Sequence, residues 1–292
     1  MLKERQARIP FIVQADDQGE VCCNRGHAPS KSSIDLILIG GVPRSGTTLT
    51  ARVIGENFRI PMSPETHYFS YAHRGDKLAT ENLPKETLND YRVAAAYGKI
   101  SGRSRSVETF RTLLKEIHGS SAILGEKTPA HLTSFTDILS DDQNVICIVV
   151  VRDFFAVTES LRNVSWSNPS FIMNLRRCAR YFRMTHLAQK RFPQRLIVLK
   201  YETLCRDEEG TISALTSILP QGNFKDKQNF FDPKIEPWKR DALLPPQARF
   251  RKVPNDRILH WLFAKAIQCA CCMRWPIRFL KPHEASAREQ GE

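Results

Sequence analysis

The most apolar run in the chain is Val145 to Val151, Val-Ile-Cys-Ile-Val-Val-Val. A strand with one wet face alternates apolar and polar residues, whereas a strand with no polar position is covered on both faces, as in the middle of a parallel sheet. Ile34 to Ile39 is a second run of strand length and stops at Gly40-Gly41. Leu196 to Leu199 is a third, and Ala122 to Leu124 is a shorter one that ends at Gly125-Glu126-Lys127-Thr128-Pro129. Between these runs the apolar period lengthens to that of a helix. Helices are expected over Thr47 to Phe58, over about 170 to 191 and over about 208 to 218. Two more are expected within 77 to 118, where Val107, Phe110, Leu113 and Leu114 share helical spacing, and one after Pro129, with Leu132, Phe135 and Leu139 inward. Strand alternating with helix predicts an α/β fold, a parallel central sheet flanked by helices. Residues 1–33 are polar and read as a flexible arm. Residues 34–292 are expected to form a single domain, with a helical insert at about 77–118 and a C-terminal loop and helix at about 221–280.

Composition adds one abnormal feature. Of 292 residues, 41% are hydrophobic and 25% charged, which is globular and excludes collagen, a fully disordered chain and a disulfide miniprotein. The 43 Lys and Arg against 31 Asp and Glu leave a formal net charge of +12. Such a surface favours anions: nucleic acid, phosphorylated small molecules, acidic glycans or anionic lipid. No helix-turn-helix, zinc finger or RNA-binding sheet signature is present, so no nucleic-acid partner is expected. Arg176, Arg180 and Arg183 share one helix face within a cluster that runs to Arg195. That face is either solvated or a contact for an anionic acceptor.

Eight cysteines are present. Cys147 reads as a core residue. Cys22-Cys23 and Cys269-x-Cys271-Cys272 lack the second C-x2-C pair of a tetrahedral zinc site, so no metal is expected. Free thiols and the absence of a signal-like N-terminus point to the cytoplasm. His260, Lys265, Gln268, Arg274, Pro276 and Arg278 break the late apolar stretch, which rules against a transmembrane span. Trp261, Phe263, Trp275 and Phe279 among cations leave two options: a plain core helix or weak contact with a membrane surface.

Gly41-Val42-Pro43-Arg44-Ser45-Gly46-Thr47-Thr48 fits G-x4-G-x-[ST] between a strand and a helix. Glycines let backbone N–H groups curl around phosphate oxygens, and the helix N-terminus adds positive potential. The usual lysine after the second glycine is replaced by Thr47, and the cation is Arg44 inside the loop. That departure counts against magnesium-dependent phosphoryl transfer. Further polar residues stand at other strand ends, where open parallel sheets bind ligands. They are Glu126-Lys127-Thr128-Pro129, Arg152-Asp153 with Ser160 about two helical turns on, and Tyr201-Glu202-Thr203-Leu204. Arg152 and Ser160 are thus spaced to grip one phosphate.

Taken in order, these motifs resemble those of the sulfotransferases that use 3′-phosphoadenosine 5′-phosphosulfate (PAPS). Pro43-Arg44-Ser45-Gly46-Thr47-Thr48-Leu49 looks like their 5′-phosphosulfate loop, and Val151-Arg152-Asp153 through Ser160 like their 3′-phosphate motif. Tyr201-Glu202-Thr203-Leu204 resembles a later motif whose tyrosine helps bind the nucleotide. The likeness is strongest to the bacterial and tyrosylprotein-type branch. It implies a P-loop-type three-layer sandwich and PAPS as co-substrate, with adenosine 3′,5′-bisphosphate as product and no metal. It also implies nucleotide contacts from Arg44, Ser45, Gly46, Thr47, Thr48, Arg152, Ser160 and Tyr201.

The resemblance also implies catalytic roles. In Ser63-Pro64-Glu65-Thr66-His67, Glu65 matches the base; its competing role is a helix cap. His67 is the rival base. Lys127 matches a lysine near the sulfuryl group, against the alternative of a solvated surface lysine, and Arg44 acts with it. Arg162 is near the place of a further basic residue. A lid cation is sought in Trp238-Lys239-Arg240 or Phe250-Arg251-Lys252. The expected activity is sulfuryl transfer to an acceptor hydroxyl of a glycan, glycolipid or other small molecule. The alternatives are a P-loop kinase-like phosphotransferase and a non-catalytic polyanion-binding protein on the same fold.

Overall fold

A computed structural model describes residues 30–71, 73–74, 77–223 and 255–282. In chain order it contains β1 (Leu36–Gly41), α1 (Thr47–Phe58), β2 (Met62–Ser63), a short hairpin of β3 (His73–Arg74) and β4 (Lys77–Leu78), then α2 (Lys85–Asn89), α3 (Tyr91–Lys99) and α4 (Val107–His118). There follow β5 (Leu124–Lys127), a 3-10 segment (Pro129–Ser134), α5 (Phe135–Asp141), β6 (Val145–Val151), α6 (Phe154–Arg162), α7 (Phe171–Arg191), β7 (Leu196–Lys200), α8 (Tyr201–Arg206), α9 (Glu208–Thr216) and α10 (Asn255–Arg274).

The main sheet has five strands in the order β2-β5-β1-β6-β7, all parallel. Both faces are covered, as the all-apolar β6 required. Leu36 and Leu38 of β1 and Val145, Cys147, Val149 and Val151 of β6 pack on one side with Phe110 of α4, Phe135 of α5 and Phe182 of α7. Ile37, Ile39, Ile146, Ile148 and Val150 pack on the other with Val53 and Ile54 of α1, Leu204 of α8 and Leu215 of α9. The alternation of β1 and β6 between two cores is the period-2 geometry of a strand, doubled by helices on each face.

Two strand boundaries differ from expectation, each for a physical reason. β1 begins two residues late and takes in both glycines, because Gly40 and Gly41 pair with Val149 and Val150 of β6. β5 runs through Gly125-Glu126-Lys127 rather than ending before them, because Lys127 pairs with Glu65 and Glu126 accepts from Thr66 and Thr128, so both can stay in the ladder. The insert holds three helices, not two. No helix starts at Glu65, so the helix-cap alternative for it falls.

Candidate active site

Every strand of the main sheet delivers a candidate residue at its carboxyl end, where ligands of open α/β sheets bind. Arg44 follows β1, Glu65 follows β2, Lys127 ends β5, Arg152 follows β6 and Tyr201 follows β7. Lys127 is in register with Ile39 on the neighbouring strand, which sets it one strand away from the glycine loop.

The loop is shaped by its glycines. Gly46 has φ +100° and caps α1 without a side chain, so no side chain competes for the first N–H groups of that helix. A Cβ there would lie 2.2 Å from Cδ2 of Tyr201. Gly41 has φ +151°, and a Cβ on it would meet the Val150 carbonyl at 2.6 Å. Arg44, which is not a glycine, also has positive φ, +74°. Strain of this kind costs on the order of 1–3 kcal/mol and is retained where the backbone shape matters. Ser45 is fully buried, while Arg44 and Thr48 are exposed at the loop surface.

The sequence motifs converge on this loop. Asp153 caps α6 by accepting from the Ala156 N–H, and α6 carries Ser160 back over the loop. The Arg44 Nε–H donates to Ser160 Oγ at 3.0 Å, and Arg152 Nη1 reaches the Arg44 carbonyl at 3.4 Å. The Arg152 guanidinium lies 4.6 Å from the ring centroid of Tyr201. Tyr201 is itself 1% exposed. Its ring is a buried wall between Gly46 and Arg152, a supporting place rather than an open one. Glu202 accepts the Asp153 N–H at 2.8 Å and so ties the third motif to the second.

A second group sits on the β2–β5 side. Lys127 is 5% exposed, which removes the solvated-lysine alternative, and its ammonium is ion-paired with Glu65 Oε1. His67 Nε2 lies 3.3 Å from the other carboxylate oxygen of Glu65. The two rival bases therefore belong to one ion-pair system. Burial pushes the Glu65 pKa up, but the bond from His67 and the charge of Lys127 outweigh it and hold the carboxyl down to about 2.

The model of the sulfotransferase family matches residues 36–220, more than half of the chain. The chain belongs to the sulfotransferase family. Among solved structures, the sulfotransferase domain of the Synechococcus PCC 7002 olefin synthase superposes with a TM-score of 0.52 at 18% identity, covering 86% of this chain and 98% of that one. That likeness shows the fold. Sulfotransferase STF9 from Mycobacterium avium gives a TM-score of 0.44 at 11% identity, covering 85% and 78%. No curated protein sequence matches the chain.

In this sulfotransferase some expected residues stand elsewhere. Arg162, the last residue of α6, bonds to the Pro169 carbonyl and to Glu159 one turn back in the same helix. Arg195, the last cation of the surface cluster, donates to the carbonyls of Leu139 and Asp142 at the end of α5. Trp238-Lys239-Arg240, Phe250-Arg251-Lys252, Cys22 and Cys23 lie outside the described residues. No described helix is long and apolar enough to cross a membrane. Among the described residues no three or more His, Cys, Asp and Glu side chains are grouped to hold a metal ion.

Two residues of the site were given no role from the sequence, although Glu126 stood among its strand-end residues. Glu126 is fully buried and accepts from the Thr66 N–H at 3.1 Å, the Thr66 hydroxyl at 3.0 Å and the Thr128 hydroxyl. Its other oxygen lies 3.0 Å from Nδ1 of the buried His131. Burial pushes the Glu126 carboxyl up, yet His131, Thr128 and Thr66 together keep it below its ordinary value. The available signal was Glu126 directly before Lys127, with a histidine five residues on.

Proposed function

We propose that this sulfotransferase moves a sulfuryl group from PAPS to an acceptor hydroxyl in the cytoplasm. The observation that carries it is the Glu65–Lys127 pair one strand away from the Arg44–Ser160–Arg152 cluster. A base and a cation stand beside an anion cradle at one sheet edge.

The residues present suit the donor. The glycine loop and the start of α1 offer N–H groups to the 5′-phosphosulfate, with Ser45, Gly46, Thr47 and Thr48 supplying backbone and hydroxyls. Arg152 and Ser160 suit the 3′-phosphate, and Tyr201 backs both from beneath. As the acceptor oxygen bonds to sulfur, its proton passes to the Glu65 carboxylate. The bond from sulfur to the bridging oxygen breaks, and adenosine 3′,5′-bisphosphate leaves with the electron pair. Arg44 and Lys127 neutralise charge on the leaving oxygens, so the mechanism assigns no metal ion. Lys127 has two claims on it. Paired with Glu65 it makes the carboxylate a weak base; as its charge turns to the donor, Glu65 recovers basicity. His67 then assists by keeping one Glu65 oxygen bonded.

For the acceptor, a glycan, glycolipid or other small hydroxyl compound with an acidic group is the proposed class. Tyr71 stands 5.4 Å from the His67 ring, and Tyr71, Arg177 and Arg180 are the groups whose fields act on the Tyr181 phenol. An aromatic side chain therefore stands beside the histidine that holds the base. Calorimetry with adenosine 3′,5′-bisphosphate tests the donor half: micromolar or tighter binding is expected without magnesium. Magnesium-dependent ATP turnover with no response to PAPS would assign the chain to phosphoryl transfer instead.

A further inference from the structure

We propose that Glu126 and His131 form a positioning pair that holds Glu65 and His67 in place for transfer, an inference that rests on Glu65 being the base. The segment after β2 that carries both residues is neither helix nor strand, and His67 in it has φ +56°. Such a stretch has no ladder to hold its shape, so its backbone groups need side-chain partners. β5 and the 3-10 segment after it supply them. Glu126 takes the Thr66 N–H, Thr128 Oγ1 takes the His67 N–H at 3.2 Å, and His131 Nε2 takes the Phe69 N–H at 3.1 Å. Tyr97 donates to the Thr66 carbonyl at 2.7 Å.

The His131 bond fixes its tautomer. Nε2 accepts from Phe69, so Nδ1 bears the proton, and it lies 3.0 Å from Glu126 Oε2. Successive residues of a strand face opposite ways. Adjacent residues of β5 thus grip adjacent residues of the segment: Lys127 takes Glu65, and Glu126 takes Thr66. A fully buried carboxylate is expensive to keep where an aliphatic side chain would pack as well. Here its bonds are spent on the one segment whose position sets the distance from base to donor.

Glu126→Gln is the direct test. The amide cannot accept from Thr66 and also accept from His131, so one tie breaks whichever way it turns. The kcat is expected to fall about 100-fold, the penalty of roughly 1 Å of misplacement, while adenosine 3′,5′-bisphosphate affinity stays within about twofold. His131→Asn keeps a donor toward Glu126 and loses the Phe69 tie; it should retain more activity than His131→Leu. A carbon-13 carboxyl titration reads the contact without turnover. Glu65, ionised down to about pH 2 in the wild type, should titrate at least one pH unit higher in Glu126→Gln. Retained kcat, nucleotide affinity lost in step with kcat, or an unmoved Glu65 titration each overturns the proposal. If Glu126→Gln does not fold, His131→Asn and His131→Leu carry the same readouts. If the wild type transfers no sulfuryl group, that failure falls on the proposed function, and the Glu65 titration still decides the positioning role.

Discussion

Replacing either member of the Glu65–Lys127 pair should have unequal consequences. Glu65→Gln leaves an ammonium buried with no carboxylate opposite, whereas Lys127→Met fills the same apolar stem space and removes the charge. The Glu65 carboxyl falls from its ordinary 4.5 to about 2 in the folded chain. A drop of about 2.5 pH units corresponds to at most about 3.4 kcal/mol. The Glu65 side chain is 38% exposed, so screening by water reduces this to about 1–2 kcal/mol. Because the folded value is the lower one, the stabilisation is present above pH 4.5 and is lost as the pH falls towards 2. Urea unfolding at pH 7 should find Glu65→Gln less stable by about 1–2 kcal/mol, and roughly half of that deficit should be gone at pH 3. Lys127→Met should stay within about 1 kcal/mol of the wild type at pH 7, yet lose about 10²–10³-fold in kcat. A Glu65→Gln protein as stable as the wild type at pH 7, or one whose deficit does not shrink in acid, would refute the electrostatic reasoning.

Other consequences follow from the loop. Gly46→Ala combines strained φ with a collision against the Tyr201 ring, and should lose about 2–4 kcal/mol of stability by chemical unfolding along with most nucleotide affinity. Arg152→Ala should weaken adenosine 3′,5′-bisphosphate about 100-fold by calorimetry, and Ser160→Ala about tenfold, with adenosine 5′-phosphate little affected by either; equal affinities would remove both from the 3′-phosphate site. Saturating EDTA should leave the transfer rate unchanged, since Arg44 and Lys127 carry the charge stabilisation; a rate restored only by added magnesium would contradict that assignment.

The parts legible in the sequence were those with a repeated local signal. β6 has no polar residue because both its faces are covered, and α1 runs over Thr47–Phe58 as its pattern says. The glycine loop, Arg152 and Ser160 share one place because the parallel strands all end at the same edge. What was not legible depends on partners far along the chain. β2 is too short to show a period. Glu126 and Lys127 look like a turn until Glu65, Thr66 and His131 are seen to take their charges and hydrogen-bonding groups into the sheet edge. Arg195 reads as one more surface cation, although α5 ends on it. Tyr201 carries a nucleotide-site motif, but its burial against Gly46 is set by the loop that folds onto it.

The most direct measurement is transfer from ³⁵S-labelled PAPS to a pool of cell glycans, lipids and small hydroxyl compounds, run side by side with wild-type protein and Glu65→Gln. The wild type should move the label to a discrete acidic product and release one adenosine 3′,5′-bisphosphate per label, and Glu65→Gln should bind that nucleotide normally and transfer almost nothing. Label that stays on the donor with the wild type, or that reaches the product equally with both proteins, would contradict sulfuryl transfer by this base.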